Sequence, residues 1–170
     1  MQIEMTIKGL MVDPITNMPI IILRDKGGQR VLPIWVGVFE ANAIALQMEN
    51  VQTPRPMTHD LLKNVIAELG ATVSRVVITE LREATYYAEI HLNTPGGATI
   101  VSSRPSDAVA LALRTESPLY VDDELMEEEG RLIELADEDE EIDEVDCDAD
   151  ELAEQFRDFL DTVHPEDFQP

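Results

Sequence analysis

Six polar residues of this 170-residue chain combine the side-chain types that bind phosphate and divalent cations. They occur in three groups far apart in the sequence: Glu40, then His59 and Asp60, then Arg104, Ser106 and Asp107. Carboxylates suit Mg²⁺ or Mn²⁺, an arginine neutralises phosphate oxygens, and a histidine can act as a base or as a further metal ligand. The combination indicates a site for phosphate chemistry if the fold brings the three groups together.

A structural role explains several of these residues equally well. Each group opens a predicted helix, where acidic and hydroxyl side chains cap free N–H groups whatever the protein does. The residues that fit this description are Asp60, Ser106 and Asp107. Arg104 would equally pair with Glu40 or Asp107. His59 is less easily explained as a cap, because a helix N-terminus disfavours the protonated imidazole and favours a neutral ring that can act as a ligand or base.

The elements that position these groups are strands and helices of one α+β fold. Strict alternation of apolar and polar residues predicts a strand over residues 2–7, and apolar runs predict strands over 18–24 and 31–36. A helix opened by Glu40 follows and ends before Pro54. The remaining predicted elements are a helix over 58–69, strands over 72–80, 86–92 and 97–103, and a helix that begins near Pro105. We expect mixed or antiparallel sheets with three main helices.

The two halves of this pattern resemble each other. Each has three strands, with a Gly-Gly turn before the third, and then a helix; Ala43-Ile-Ala-Leu46 in the first half matches Ala108-Val-Ala-Leu111 in the second. A duplicated βββα unit is one explanation, and chance similarity of short apolar helices is the other. In the helix over 58–69, the predicted buried face consists of Leu61, Leu62, Val65, Ile66 and Leu69.

The acidic charge of the chain is concentrated near its C-terminal end. The formal net charge is -23, yet residues 1–121 contain 10 basic and 12 acidic side chains, whereas residues 122–170 contain 2 and 23. We therefore predict a domain over residues 1–135, an acidic linker over 136–150, and a C-terminal amphipathic helix and tail over 151–170. The near-neutral domain offers no basic track for nonspecific binding of nucleic acid.

Composition and motifs exclude several classes of protein. The single cysteine, Cys147, cannot form an internal disulfide or a cysteine metal cluster. The sequence has neither an apolar stretch long enough for a membrane span nor the basic start of a signal peptide, so we expect a cytoplasmic protein that does not bind membranes. A Gly-rich phosphate loop and a Gly-x-Ser-x-Gly elbow are both missing. Neither a Walker-type nucleotide enzyme nor a serine hydrolase is indicated, and no organic cofactor is expected.

Three segments resemble the bifunctional nuclease family in order and spacing. They are Val31-Leu-Pro-Ile-Trp-Val-Gly-Val-Phe-Glu-Ala41, Arg55-Pro-Met-Thr-His-Asp-Leu-Leu62 and Ser103-Arg-Pro-Ser-Asp-Ala-Val-Ala-Leu-Ala-Leu-Arg114. The likeness covers about residues 1–135, and the segment from Phe156 to Phe168 resembles the C-terminal extension of longer bacterial members. The resemblance implies an α+β domain that forms a homodimer, similar to plant proteins described as nucleases that act on both RNA and DNA.

The family's motif positions coincide with the six polar residues. Our hypothesis is a phosphodiesterase in which His59 activates water and Arg104 stabilises charge on the phosphate. The residues expected to hold one or two Mg²⁺ or Mn²⁺ ions are Glu40, Asp60 and Asp107. The residues assigned to substrate binding are Arg55, Arg104, Ser106 and Arg114.

Two other interpretations remain open at this stage. A non-catalytic regulatory module that binds a small ligand or a protein would use the same polar residues for structural pairing, and the near-neutral domain favours it. Alternatively, the acidic tail docks on its own or the partner subunit and mimics nucleic acid in the site. The positions of the polar side chains separate the enzyme hypothesis from the non-catalytic module, because the enzyme hypothesis requires these side chains to converge in one site.

Overall fold

The computed structural model describes residues 1–132 of the chain. The predicted linker over 136–150 and the predicted helix and tail over 151–170 lie outside the described residues. The elements in chain order are β1 (Gln2–Val12), β2 (Pro19–Asp25), β3 (Arg30–Trp35), α1 (Val38–Met48), α2 (Thr58–Glu68), β4 (Thr72–Arg82), β5 (Thr85–Thr94), β6 (Gly97–Ser103), α3 (Pro105–Thr115), β7 (Leu119–Asp122), α4 (Asp123–Glu129) and β8 (Arg131–Leu132). The α+β class is confirmed.

The eight strands within residues 1–132 form one sheet, in the order β6-β5-β4-β7-β1-β2-β3-β8. Strands β1 to β3 and strands β4 to β6 each form an antiparallel meander. Strand β7 lies between the two meanders, antiparallel to β1 and parallel to β4. The two predicted halves therefore correspond to two meanders, followed by α1 and α3, and β7 joins them into a continuous sheet.

Three short elements were not predicted from the sequence. Strand β7 has only Leu119 and Val121 as buried residues, so its apolar pattern is too short to recognise. Helix α4 consists largely of acidic residues, and the carboxylate of Asp122 caps it by accepting a bond from the Glu124 N–H at 3.2 Å. Strand β8 pairs only with Arg30 and Val31. In the part of the chain described, no helix is long and apolar enough to cross a membrane.

Helix α3 occupies the centre of the hydrophobic core. Eight of its residues are buried, and it packs against α1 and α2 on one side and against β4 and β5 on the other. Ala108, Ala110 and Ala112 have small side chains that let these neighbours approach closely. Only the two ends of α3 bear charged side chains, so the helix positions Arg104 at its start and Arg114 in its last turn.

Helix α2 differs from the prediction. Its only buried residue is His59, and Ile66 is partly buried against the core. The other four residues of the predicted buried face are exposed: Leu61 by 56%, Leu62 by 38%, Val65 by 46% and Leu69 by 71%. The predicted helix is correct, but its apolar side faces away from the core. These four residues are called the α2 stripe below.

The assignment of the core predicts that two isoleucines contribute very differently to the free energy of unfolding. Ile78 on β4 is fully buried, whereas Ile15 in the β1–β2 turn is 92% exposed. We expect Ile78→Ala to lower the free energy of unfolding by about 2–5 kcal/mol through lost burial and a residual cavity. Ile15→Ala should change it by less than about 0.5 kcal/mol. Urea denaturation measures both, and equal effects would contradict the assignment.

Candidate functional site

Arg104 connects the first turns of two helices. Its Nη2 donates to Oε1 of Glu40 at 2.8 Å, and its Nε donates to Oδ2 of Asp107 at 2.7 Å. Glu40 lies in the first turn of α1 and Asp107 in the first turn of α3. Gly37 is the N-cap of α1, and a Cβ there would collide with Oε2 of Glu40. The sequence thus provides space for the Glu40 carboxylate to fold back towards Arg104.

His59 extends this connection to α2. Its Nε2 lies 2.9 Å from Oδ1 of Asp107, and its side chain is 11% exposed. Burial raises the pKa of Asp107, but the bonds from Arg104 and His59 lower it by more, so this pKa lies below the usual 3.8. An ionised Asp107 can only accept, so Nε2 bears the hydrogen, and in the corresponding neutral tautomer Nδ1 is the acceptor. We call Glu40, Arg104, Asp107 and His59 the Arg104 network.

Arg104 is the member of the network that faces solvent. Its side chain is 65% exposed, compared with 16% for Glu40 and 28% for Asp107. The bonds to the two carboxylates use Nε and Nη2, and no described residue accepts a bond from Nη1. Bonding to Asp107 raises the pKa of Arg104 further above its usual value, so the guanidinium stays charged. The network therefore presents a fixed cation at the protein surface.

Asp60 belongs to a second, separate ion pair. Its Oδ1 accepts a bond from Nε of Arg114 at 2.6 Å, and its Oδ2 accepts a bond from the Met57 N–H at 2.9 Å. Arg114 is only 4% exposed and also donates to the carbonyl oxygens of Ala110 and Ala43, at 2.9 and 3.0 Å. Burial raises the pKa of Asp60, but the Met57 N–H and Arg114 lower it by more, so it lies below 3.8. This pair ties together all three main helices.

The sequence suggests Asp60, Ser106 and Asp107 as helix caps, and this explanation holds for Asp60. Asp60 accepts the N–H of Met57, the N-cap of α2, and so satisfies a free donor of that helix. Both oxygens of Asp107 bind side chains instead. Ser106 lies in the first turn of α3 after Pro105 and is 6% exposed, so a substrate would reach its hydroxyl only if this turn moved.

The three carboxylates predicted to hold a divalent cation are already bound to other groups. Glu40 and Asp107 share Arg104, while Asp60 accepts bonds from a different arginine and a backbone N–H. Within residues 1–132, no group of three or more His, Cys, Asp and Glu side chains has an arrangement that could hold a metal ion. A cation between Glu40 and Asp107 would have to displace the guanidinium of Arg104. The donor set as arranged therefore does not fit Mg²⁺ or Mn²⁺.

A cavity of about 310 Å³ lies between the end of α1 and the start of α2. We call it the α1–α2 cavity. Arg55, Asp60 and Arg114 are the charged residues that line it, and no residue of the loop from 49 to 57 was assigned to a site apart from Arg55. One sequence signal distinguishes this loop: Pro54 and Pro56 restrict its backbone on both sides of Arg55. Arg55 thus lines a different part of the surface from Arg104.

The family of the chain follows from comparison with known proteins. Residues 21–134 match the family model of the bifunctional nuclease domain. The chain belongs to the bifunctional nuclease family. The matched range includes every residue of the Arg104 network and of the α1–α2 cavity, so both features lie in the family domain.

Relatives of this bifunctional nuclease family member fall into two groups. An uncharacterized protein of Mycobacterium tuberculosis is 42% identical over 166 residues, which is 98% of both chains. Bifunctional nuclease 1 of Arabidopsis thaliana is 32% identical over 121 residues, or 68% of this chain and 37% of the plant protein. Bifunctional nuclease 2 of the same plant is 30% identical over 114 residues. The bacterial relative thus matches far beyond the family domain, whereas the plant proteins are much longer.

The Asp60–Arg114 pair predicts a specific dependence of stability on pH. Because the folded-state pKa of Asp60 lies below 3.8, its ionised form stabilises the fold above about pH 4, and this contribution is lost as the pH falls through the folded-state pKa. Asp60→Asn should cost about 2 kcal/mol of unfolding free energy at pH 7. The difference from wild type should shrink as the pH falls from about 4 to 2.

Chemical denaturation at a series of pH values measures this difference. The matched control is Glu80→Gln, which removes a carboxylate from an exposed pair with Arg82. The control should cost less than about 1 kcal/mol at any pH. A loss in Asp60→Asn that does not change with pH would contradict the assigned role of the carboxylate.

Proposed function

We propose that the protein is a nuclease that hydrolyses phosphodiester bonds of RNA or DNA at the Arg104 network. Two facts support the proposal: membership of the bifunctional nuclease family, and similarity of about 30% to plant proteins named bifunctional nucleases. The M. tuberculosis relative is uncharacterized, so it provides no support for a particular activity. The single observation behind the choice of site is the exposed, doubly held guanidinium of Arg104 beside His59.

The proposed role of Arg104 is to bind and neutralise the phosphate. The bonds that Arg104 donates to Glu40 and Asp107 fix the guanidinium plane before substrate arrives, so little side-chain freedom is lost on binding. The Nη1 group is available for a phosphate oxygen. As negative charge builds on the phosphate oxygens in the transition state, a preorganised cation stabilises it more strongly than a mobile one.

The proposed role of His59 is to accept a proton from the attacking water. The water oxygen forms a new bond to phosphorus, its proton passes to Nδ1, and the bond from phosphorus to the sugar oxygen breaks with its electron pair on that oxygen, which takes a proton from solvent. Asp107 holds Nε2–H and so fixes the tautomer that this step needs. His59 is largely buried and Arg104 is the exposed member of the network, so we place the attacking water on the Arg104 side. The cation expected from the sequence has no part in these steps.

Substitutions in the network test the function. Arg104→Ala should lower the rate of hydrolysis by about 10²–10³-fold, because it removes the charge-stabilising donor. His59→Gln should lower it by at least about 10²-fold through loss of the base. Arg82→Ala is the matched control, because Arg82 is 62% exposed and paired with a carboxylate outside the network, and its activity should stay unchanged.

The assay uses labelled single-stranded RNA and DNA with highly purified protein. Parallel reactions with Mg²⁺, with Mn²⁺ and with a chelator test whether a cation is needed. Activity that persists in Glu40→Ala and His59→Gln would show that the hydrolysis comes from a contaminant or from another site. Complete absence of hydrolysis in wild type under all three conditions would overturn the proposed function.

A non-catalytic binding module is the second candidate, and the charge of the site favours it. The Arg104 network has a net charge of -1 when His59 is neutral, which weakens its attraction for phosphate.

The α2 stripe exposes four apolar side chains along one side of a helix, as a protein-binding surface does. We propose a second copy of the chain as the partner, because two antiparallel α2 helices would each cover the other's stripe.

The oligomeric state tests this surface. Leu69 is the most exposed residue of the stripe, and Leu69→Glu should convert a dimer to a monomer by placing a charge in the interface. Ile15→Glu makes the same type of change at a 92% exposed turn residue and should leave the dimer intact. Sedimentation velocity over a range of concentrations measures both. A wild-type protein that is monomeric throughout, or a dimeric Leu69→Glu variant, would contradict the proposed contact.

A further inference from the structure

The α1–α2 cavity has walls that are fixed before any ligand binds. After α1 the chain turns back, and the N–H groups of Asn50 and Val51 donate to the carbonyl oxygens of Gln47 and Leu46, at 3.2 and 2.9 Å. Further along, Thr53 Oγ1 donates to the carbonyl oxygen of Arg55 at 2.7 Å. A cavity with preformed walls loses little entropy on binding, and its volume of about 310 Å³ suits a small molecule.

The charges that line the cavity leave a single positive group for a ligand. Asp60 and Arg114 neutralise each other at 2.6 Å, and Nη1 and Nη2 of Arg114 each donate to a backbone carbonyl oxygen. Arg55 is exposed, and its guanidinium bonds to no side chain in residues 1–132. An anionic group of a ligand would therefore bind at Arg55, with bidentate geometry if it is a phosphate.

The rest of the lining suits a flat group with hydrogen-bonding edges. Leu46, Val51 and Met57 provide apolar surface, and the amides of Gln47 and Gln52 can each donate and accept. A phosphate attached to a nucleobase combines an anion with such a group. A base can enter a cavity of this kind only when it is unpaired and unstacked.

The cavity adjoins the Arg104 network through two consecutive residues. Asp60 lines the cavity, and its neighbour His59 binds Asp107 in the network. We propose that the α1–α2 cavity binds one unpaired nucleotide, with its phosphate on Arg55 and its base between the apolar and amide side chains. The next step rests on the proposed nuclease function. If the cavity holds one nucleotide of the substrate, the substrate class is single-stranded nucleic acid, and intact duplexes are excluded.

Binding of small probes to the full-length protein tests the cavity directly. Isothermal titration calorimetry with AMP, ribose 5-phosphate and inorganic phosphate separates the base from the phosphate contribution. We expect AMP to bind at least about tenfold more tightly than ribose 5-phosphate, because only AMP places a base against the apolar wall. Arg55→Ala should weaken AMP binding at least about tenfold.

Two control variants make the result specific. Lys63→Ala removes the same charge from an exposed position of α2 that does not line the cavity, and Arg82→Ala removes it from an exposed position of β4 outside both the cavity and the Arg104 network. Both should bind AMP within about twofold of wild type. Absence of AMP binding to wild type, or equal binding by AMP and ribose 5-phosphate, would overturn the inference. An unchanged affinity in Arg55→Ala would also overturn it.

The outcome for the cavity is independent of the outcome for hydrolysis. If AMP binds as expected and wild type hydrolyses no nucleic acid, the nucleotide site stands and the nuclease proposal fails. If wild type hydrolyses nucleic acid and AMP does not bind, the nucleotide site alone fails. Cleavage of duplex and single-stranded DNA at equal rates would refute the single-strand preference.

Discussion

A guanidinium removed from water must be given a counter-charge and acceptors, and this requirement organises the helical layer of the protein. Arg114 is 4% exposed and obtains its partners from all three main helices: Asp60 on α2, and the carbonyl oxygens of Ala43 on α1 and Ala110 on α3. A shift of any of these helices would remove one of the partners of a buried charge. The placement of the polar residues at the helix starts depends on that restraint.

The two arginines at the ends of α3 use the same chemistry for different purposes. Arg114 is enclosed, its bonds are internal, and its contribution is to stability. Arg104 is held by two carboxylates rather than one, and its side chain is 65% exposed. A phosphate-binding group must be reachable from solvent, and only Arg104 of these two arginines is. This difference is why the proposed chemistry is assigned to Arg104.

The sequence predicted the α+β class, the six long strands and the three main helices, because each has a clear apolar period or a continuous apolar run. It also selected Glu40, His59, Arg104 and Asp107, which the fold brings into one network. It could not show that Asp60 binds Arg114 instead, because that choice depends on how three helices pack. The predicted buried face of α2 was wrong for a related reason. A helical period identifies an apolar face, but it does not show which surface covers that face.

The position of β7 in the sheet also affects the order in which the protein can form. The two meanders are local structures that can pair as soon as their own residues are available. Their union requires Leu119–Asp122, which is synthesised after both. Until that strand inserts, β1 and β4 each have an open edge, a state in which chains can pair wrongly with one another. The contact that joins the two meanders is therefore made by a four-residue strand at the centre of the sheet, which becomes available only after both meanders.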